Sequence, residues 1–183
     1  YAEYTDKVNN ALAEVGIQVT NIDDCENDIE ALQNASAIFV GGGNTFHLLK
    51  TLQDKNLIEH IRNRVNDEVP YIGWSAGSNI ASPTICTTND MPIVEPQSFE
   101  ALNLIADQIN PHYTDETLAN HGGESRLQRL KEYLAANQDK RVLCLPENTY
   151  LAVRENKMTY EGNGNGILLN YTSSETLLPN TII

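Results

Sequence analysis

Residues 69–77 read Val-Pro-Tyr-Ile-Gly-Trp-Ser-Ala-Gly, an apolar segment that runs directly into a glycine-flanked serine. The apolar part predicts a strand that ends at Trp74, and the small residues after Ser75 predict the start of a helix. Gly73 and Gly77 complete the G-x-S-x-G pattern, whose glycines leave room for a sharp strand-to-helix turn. The segment therefore predicts a strand–turn–helix unit that presents the Ser75 hydroxyl at a strand end, where it is a candidate nucleophile.

Strand and helix patterns alternate along most of the chain. Strands are predicted at five places: 17–22, 37–40, 69–74, 105–110 and 142–145. This alternation predicts an α/β fold with a mostly parallel, doubly wound sheet and helices on both faces. Three short tail strands joined by turn residues predict a small antiparallel C-terminal appendage: 150–153, 158–161 and 167–171. No repeat or linker divides residues 1–183, so we expect a single domain.

The composition limits the class of partner. The chain has 12 basic and 25 acidic residues among 183, a net charge of −13. Nucleic acids and anionic membranes bind clustered Lys and Arg, so we expect neither as a partner. Three scattered cysteines without a CxxC pair favour reduced thiols in the cytoplasm: Cys25, Cys86 and Cys144. An acidic substrate would need a local cation, because the overall charge repels it.

A nucleophilic serine needs a base, and the chain offers four histidines. His47 and His60 fall within helical patterns, which is typical of surface or packing residues. His121 lies in a polar stretch and is the weaker alternative. His112 follows Asn110–Pro111 at the end of a predicted strand, where open α/β sheets place ligand-handling residues. We therefore favour His112 as the base.

The base in turn needs a carboxylate to fix its tautomer. Glu147 follows the apolar strand 142–145, again at a strand end. Asp90 lies among turn-forming residues and is the rival acceptor. The strand-end position favours Glu147, but the sequence leaves both open.

The run Gly41–Gly42–Gly43–Asn44 follows another predicted strand. It lacks the third glycine of a dinucleotide fingerprint and the Gly-Lys-Ser/Thr ending of a P-loop, so it does not predict phosphate binding. It is either a simple strand-end turn or a close approach to substrate, in which Gly43 N–H and Ala76 N–H would stabilise an oxyanion. No His, Cys or carboxylate cluster has metal-ligand spacing, and we expect neither metal nor cofactor.

Together, four predicted strands end in Gly43–Asn44, Ser75, His112 and Glu147, as expected when a parallel sheet builds one site from distant sequence. The chain order Ser, His, acid differs from that of α/β-hydrolases, in which the acid precedes the histidine.

Four strings resemble family S51 of the serine peptidases, the peptidase E family: VGGGNTFHLLK, YIGWSAGSNIASPTICTTNDMPIVEP, QINPHYTD and GESRLQR. The resemblance implies a fold like that of class I glutamine amidotransferases and hydrolysis of dipeptides with an N-terminal aspartate. Members of the family begin with a further strand–helix–strand portion, which we expect this chain to lack.

The resemblance also implies a role for each site residue. Ser75 matches the nucleophile, His112 the base and Glu147 the third member of a Ser-His-Glu triad, while Asp90 matches an aspartate also proposed as catalytic. Four further positions match the oxyanion hole or substrate contacts: Gly43, Ala76, Asn44 and Arg126. A guanidinium suits the aspartyl carboxylate, although spacing alone favours a solvated helix-face arginine.

Two other functions stay open at this point. One is a cyanophycinase-like hydrolase that acts on β-linked aspartyl-arginine, which belongs to the same family. The other is a non-catalytic member that binds a small acidic ligand or a protein partner. The intact set of serine, histidine and glutamate favours an enzyme.

Overall fold

A computed structural model describes residues 2–116, 122–155 and 157–183. The helices are α1 (Ala2–Leu12), α2 (Asp28–Asn34), α3 (Thr45–Asp54), α4 (Ile58–Asn66), α5 (Ala76–Ala81) and α6 (Arg126–Ala136). The strands are β1 (Ile38–Val40), β2 (Tyr71–Gly73), β3 (Gln108–Pro111), β4 (Arg141–Leu145), β5 (Thr149–Arg154), β6 (Lys157–Gly162), β7 (Gly166–Asn170), β8 (Ser174–Leu177) and β9 (Thr181–Ile182). The α/β class is confirmed.

The described strands form three sheets, with the orders β1-β2, β3-β4-β7-β8 and β5-β6-β9. Parallel pairing joins β1 to β2 and β3 to β4. The other pairings are antiparallel, so the four-stranded sheet is mixed and the sheet β5-β6-β9 is antiparallel. This differs from the expected single, mostly parallel sheet. β7 also departs from the expected appendage, because it pairs with the buried strand β4. Alternating apolar residues predict a strand but do not say which neighbour it pairs with.

The predicted strand over 17–22 is wrong. Asn9 on α1 binds both backbone polar groups of Val19: its amide donates to Val19 O at 3.0 Å and its carbonyl accepts from Val19 N at 2.7 Å. Asn21 then accepts from Asp23 N at 3.2 Å and caps a short 3₁₀ helix, Ile22–Asp24. A side chain thus satisfies the Val19 groups that a neighbouring strand would otherwise bind.

Polar caps explain where two of the helices near the site begin. Asn44 accepts from His47 N at 3.1 Å and starts α3 directly after the glycine run. Ser125 and Gln128 form a reciprocal capping box that starts α6. The cap before α3 fixes the direction of the glycine run, and the capping box orients Arg126, the first residue of α6.

Helix α5 links the sheet β1-β2 to the sheet that contains β3. It leaves the end of β2 and is largely buried, and at its C-terminal end Ser82 Oγ accepts from Ile109 N at 2.9 Å. Thr87 donates to Ile109 O at 3.0 Å, and Asn110 donates to Thr87 O at 2.8 Å. These buried bonds fix the strand that precedes His112 against the helix that follows Ser75. Within the described ranges, no helix combines the length and apolar character needed to cross a membrane.

Candidate active site

Ser75 lies at a strained turn between β2 and α5. Its φ is 56° and its ψ is −116°, outside the regions that L-residues ordinarily adopt. A Cβ at Gly73 would stand 2.6 Å from Gly77 O, and a Cβ at Gly77 would stand 2.0 Å from Val40 O. Both glycines are therefore required by close backbone approach, and the G-x-S-x-G pattern forms the sharp turn that it predicts.

The glycine run after β1 lies against Ser75. A Cβ at Gly42 would stand 3.1 Å from Ser75 Cβ and 3.4 Å from Ser75 Oγ. Gly43 has φ 140°, and among the described residues no atom beyond its chain neighbours lies within 4 Å of the position its Cβ would take. The run therefore brings bare backbone beside the serine and leaves open space at Gly43, as a close approach to a ligand requires.

His112 and Glu147 are in contact. His112 Nδ1 lies 2.5 Å from Glu147 Oε1, and both side chains reach solvent, with exposed fractions of 47% and 72%. The β3–β4 register pairs Pro111 with Leu145, so the residues that follow each strand emerge side by side. The carboxylate in contact with the favoured base is thus that of Glu147. His112 has φ 54°, a second strained backbone at the site.

The Asp90 carboxylate lies at the start of α3. Asp90 Oδ2 accepts from Thr45 N at 2.7 Å, and Asn44 donates to Met91 O at 2.8 Å. Beneath this contact, Asn79 donates to the buried Thr45 hydroxyl at 3.0 Å. The contacts tie the loop around Asp90 to the end of the glycine run.

Arg126 lies beside the backbone of the His112 segment. Its Nη1 donates to His112 O, and it lies 3.4 Å from Pro111 O. Among the described residues, these two carbonyls are the hydrogen-bond acceptors that Arg126 contacts. The guanidinium is therefore placed next to the histidine, which adds a local positive charge to an acidic protein.

Two other ionisable groups near His112 and Glu147 are neutral. Burial raises the pKa of the Cys144 thiol on β4 to about 12. Burial, together with a hydrogen bond to Asp115, also raises the pKa of Tyr113. Neither side chain is ionised at neutral pH. In the described part of the chain, no group of three or more His, Cys, Asp or Glu residues could hold a metal ion.

Sequence reasoning missed one contact at the site, and one of its candidates cannot be placed. Tyr4 Oη accepts hydrogen bonds from Gly42 N and Trp74 Nε1. No local pattern signals this contact, because Tyr4 precedes Gly42 by 38 positions and Trp74 by 70 positions in the sequence. His121, the weaker candidate base, lies outside the described residues.

Comparisons with known proteins agree with one another. The model of Peptidase family S51 matches residues 1–160. A protein named Peptidase E from Nostoc sp. is 48% identical over 163 residues, which cover 89% of this chain and 67% of that protein. A Peptidase E from Pasteurella multocida is 42% identical over 179 residues, or 98% of this chain and 76% of that one.

A solved structure shows the same fold. A peptidase from an acI-B1 actinobacterium aligns with a TM-score of 0.75 over 99% of this chain and 75% of that one. The two sequences are 18% identical, so this likeness concerns the fold alone.

Proposed function

Because the chain belongs to peptidase family S51 and has the function of a peptidase E, an aspartyl dipeptidase, we propose that Ser75, His112 and Glu147 perform its reaction. Ser75 is the nucleophile, His112 the general base and Glu147 the carboxylate that orients the imidazole. The substrate is a dipeptide with an N-terminal aspartate. The observation that carries this proposal is the strained turn at Ser75, with φ 56° and glycines on both sides.

The reaction begins with acyl transfer. His112 Nε2 takes the Ser75 hydroxyl proton, and Ser75 Oγ attacks the carbonyl carbon of the aspartyl residue. Gly43 N–H and Ala76 N–H stabilise the oxyanion, each contributing about 3 kcal/mol to the lowering of the barrier. The carbon–nitrogen bond then breaks, and His112 returns its proton to the leaving amine.

A water molecule completes the cycle. His112 takes a proton from this water, whose oxygen attacks the carbonyl carbon of the aspartyl ester. The bond from that carbon to Ser75 Oγ then breaks, His112 returns the proton to Ser75 Oγ, and free aspartate leaves. The contact of Glu147 with Nδ1 supports this role of His112, because it leaves Nε2 to exchange the proton.

In this proposal two further residues bind the substrate, and a third positions the glycine run. Arg126, beside the His112 carbonyl, binds the side-chain carboxylate of the aspartyl residue through its remaining N–H groups. Asn44 contacts the substrate from the end of the glycine run. Asp90 contributes to catalysis by fixing the N-terminus of α3, to which its carboxylate is bonded, and so the position of Gly43.

We also propose a more specific fold type and a cellular compartment for the protein. Residues 1–183 form one domain of the doubly wound kind found in class I glutamine amidotransferases, supported by the parallel pairs β1–β2 and β3–β4. The enzyme works in the cytoplasm, supported by three cysteines that are all free thiols.

The test is hydrolysis of Asp-Leu by the whole chain in the presence of EDTA, with release of leucine measured by mass spectrometry. Ser75→Ala should lower kcat by at least about 1,000-fold, since the nucleophile is lost. Ser174→Ala removes a hydroxyl from the exposed strand β8 and is the matched control.

Two results would overturn the assignment. Turnover by Ser75→Ala equal to that of Ser174→Ala would exclude Ser75 as the nucleophile. Cleavage of β-Asp-Arg in preference to Asp-Leu would replace the proposed substrate with that of the cyanophycinase-like alternative.

A further inference from the structure

Tyr4 bridges two loops of the site through its hydroxyl oxygen. It accepts from Gly42 N at 3.1 Å and from Trp74 Nε1 at 2.7 Å. Its ring stacks on that of Trp74, with centroids 6.4 Å apart and planes inclined by 20°. The bridge is long in sequence, because Tyr4 belongs to α1 while the two donors follow β1 and β2.

Each donor is the immediate neighbour of a group that the reaction uses. Gly42 precedes Gly43, and Trp74 precedes Ser75. The position of a Gly42 Cβ would lie 3.4 Å from Ser75 Oγ and 3.7 Å from Tyr4 Oη, so Gly42 lies between the nucleophile and the phenol. The Tyr4 oxygen therefore ties together the two loops that supply the oxyanion donors.

The fit between Tyr4 and the glycine run is close. A Cβ at Gly41 would stand 2.6 Å from Tyr4 Cε1 and 3.2 Å from its hydroxyl oxygen. A larger residue at this position would therefore displace the ring from where its phenol meets the Gly42 N–H. In contrast, α1 as a whole has no buried residue.

We propose that Tyr4 is a positioning residue for the oxyanion hole, an inference that rests on the proposed function. Gly43 N–H and Ala76 N–H come from different strand ends, and stabilising one oxyanion requires both to be held within about 0.5 Å of the productive geometry. The Tyr4 oxygen holds the first loop against the second by bonding to both. It acts through these loops and does not itself react.

If Tyr4 is a positioning residue, removing its hydroxyl should affect catalysis and leave folding intact. Tyr4 is 41% exposed and its ring contacts do not depend on the hydroxyl. Replacing the phenol with a phenyl ring keeps the stacking on Trp74 but removes the acceptor for both N–H groups. A role of Tyr4 through ring packing alone would therefore survive this change, whereas the positioning role would not.

The experiment compares Tyr4→Phe with Tyr171→Phe, which removes a hydroxyl from an exposed tyrosine outside the site. Three quantities are measured on the whole chain: kcat and KM for Asp-Leu, the rate of Ser75 modification by a fluorophosphonate, and the thermal midpoint. In Tyr4→Phe we expect kcat and the modification rate to fall together by about tenfold or more, because both reactions develop charge in the oxyanion hole. KM should stay within about twofold, and the thermal midpoint should change by less than about 4 °C.

A second variant tests the bond itself. Trp74→Phe removes one donor to Tyr4 and keeps an aromatic ring for stacking. As a single variant it should lower kcat, but in the Tyr4→Phe background it should lower kcat little further. Fully additive losses would overturn the proposal, because they would show that the two groups act independently.

The outcomes separate this inference from the proposed function. If the fluorophosphonate fails to modify Ser75 in the unaltered chain, the proposed function fails and the inference fails with it. If Ser75 is modified at equal rates in the unaltered chain and in Tyr4→Phe, with equal kcat, only the role of Tyr4 is refuted. A rise in KM with unchanged kcat, or a lower thermal midpoint with unchanged kcat, refutes it as well.

Discussion

Replacing Glu147 with glutamine isolates the function of its carboxylate. The change keeps the size of the side chain but removes its charge and one of its two acceptor oxygens. In the structure the carboxylate lies 2.5 Å from His112 Nδ1, and the exposed fractions of the two side chains are 47% and 72%. An exposed pair of this kind stabilises the fold by no more than about 1 kcal/mol. The variant should therefore fold normally, with its thermal midpoint within about 4 °C of the original.

The effect on catalysis should be larger, because His112 becomes positively charged during the reaction. At a separation of 2.5 Å, Coulomb's law gives an attraction of about 1.7 kcal/mol in water and about 7 kcal/mol at an effective dielectric constant of 20. Solvent at both side chains favours the lower half of this range. We expect a loss of about 2–4 kcal/mol of transition-state stabilisation, or about 30- to 1,000-fold in kcat. This is less than the roughly 10,000-fold loss in triads whose acid is buried.

The assay is the initial rate of leucine release from Asp-Leu, with thermal unfolding measured on the same samples. Glu132→Gln makes the same change of charge on the exposed face of α6 and is the matched control. If Glu147→Gln keeps kcat within about twofold of Glu132→Gln, Glu147 does not orient His112. A loss of activity with an equally large loss of stability would contradict this role as well, since an exposed pair should not be needed for folding.

Two further predictions concern the packing around the site. Gly77→Ala should destabilise the fold by about 3 kcal/mol or more and lower activity, because its Cβ would lie 2.0 Å from Val40 O. In the control Gly122→Ala, the added Cβ meets no atom of the described residues within 4 Å, so the thermal midpoint should not change. Equal thermal midpoints for the two variants would contradict this. At pH 8, iodoacetamide should alkylate the exposed Cys86 and not the buried Cys144. Burial raises the pKa of Cys144 to about 12, so this side chain stays a neutral thiol. Peptide mapping checks this, and modification of Cys144 in the folded chain would contradict it.

The strand ends that carry the site could be predicted from sequence, because each depends on a local pattern. An apolar run followed by glycine or proline marks where a strand stops, and β1 to β4 end close to the predicted positions, at Val40, Gly73, Pro111 and Leu145. Parallel strands bring such ends to one edge, so His112 and Glu147 could be expected to meet. Their contact depends on the β3–β4 register, which periodicity does not specify.

The features that the sequence did not predict share a different cause. The strand expected at 17–22 is absent because Asn9, ten residues before Val19, binds the backbone of Val19. The partner of β7 and the bridge formed by Tyr4 likewise depend on residues distant in sequence. Short-range periodicity reports which face of an element is apolar, but not which distant polar group meets it.

Peptide mapping of the chain after reaction with a fluorophosphonate identifies the nucleophile, because the reagent modifies a serine hydroxyl only where a base activates it. We expect one adduct, on Ser75, whose formation abolishes the hydrolysis of Asp-Leu. An adduct on another serine, or continued hydrolysis by a chain fully modified at Ser75, would contradict it.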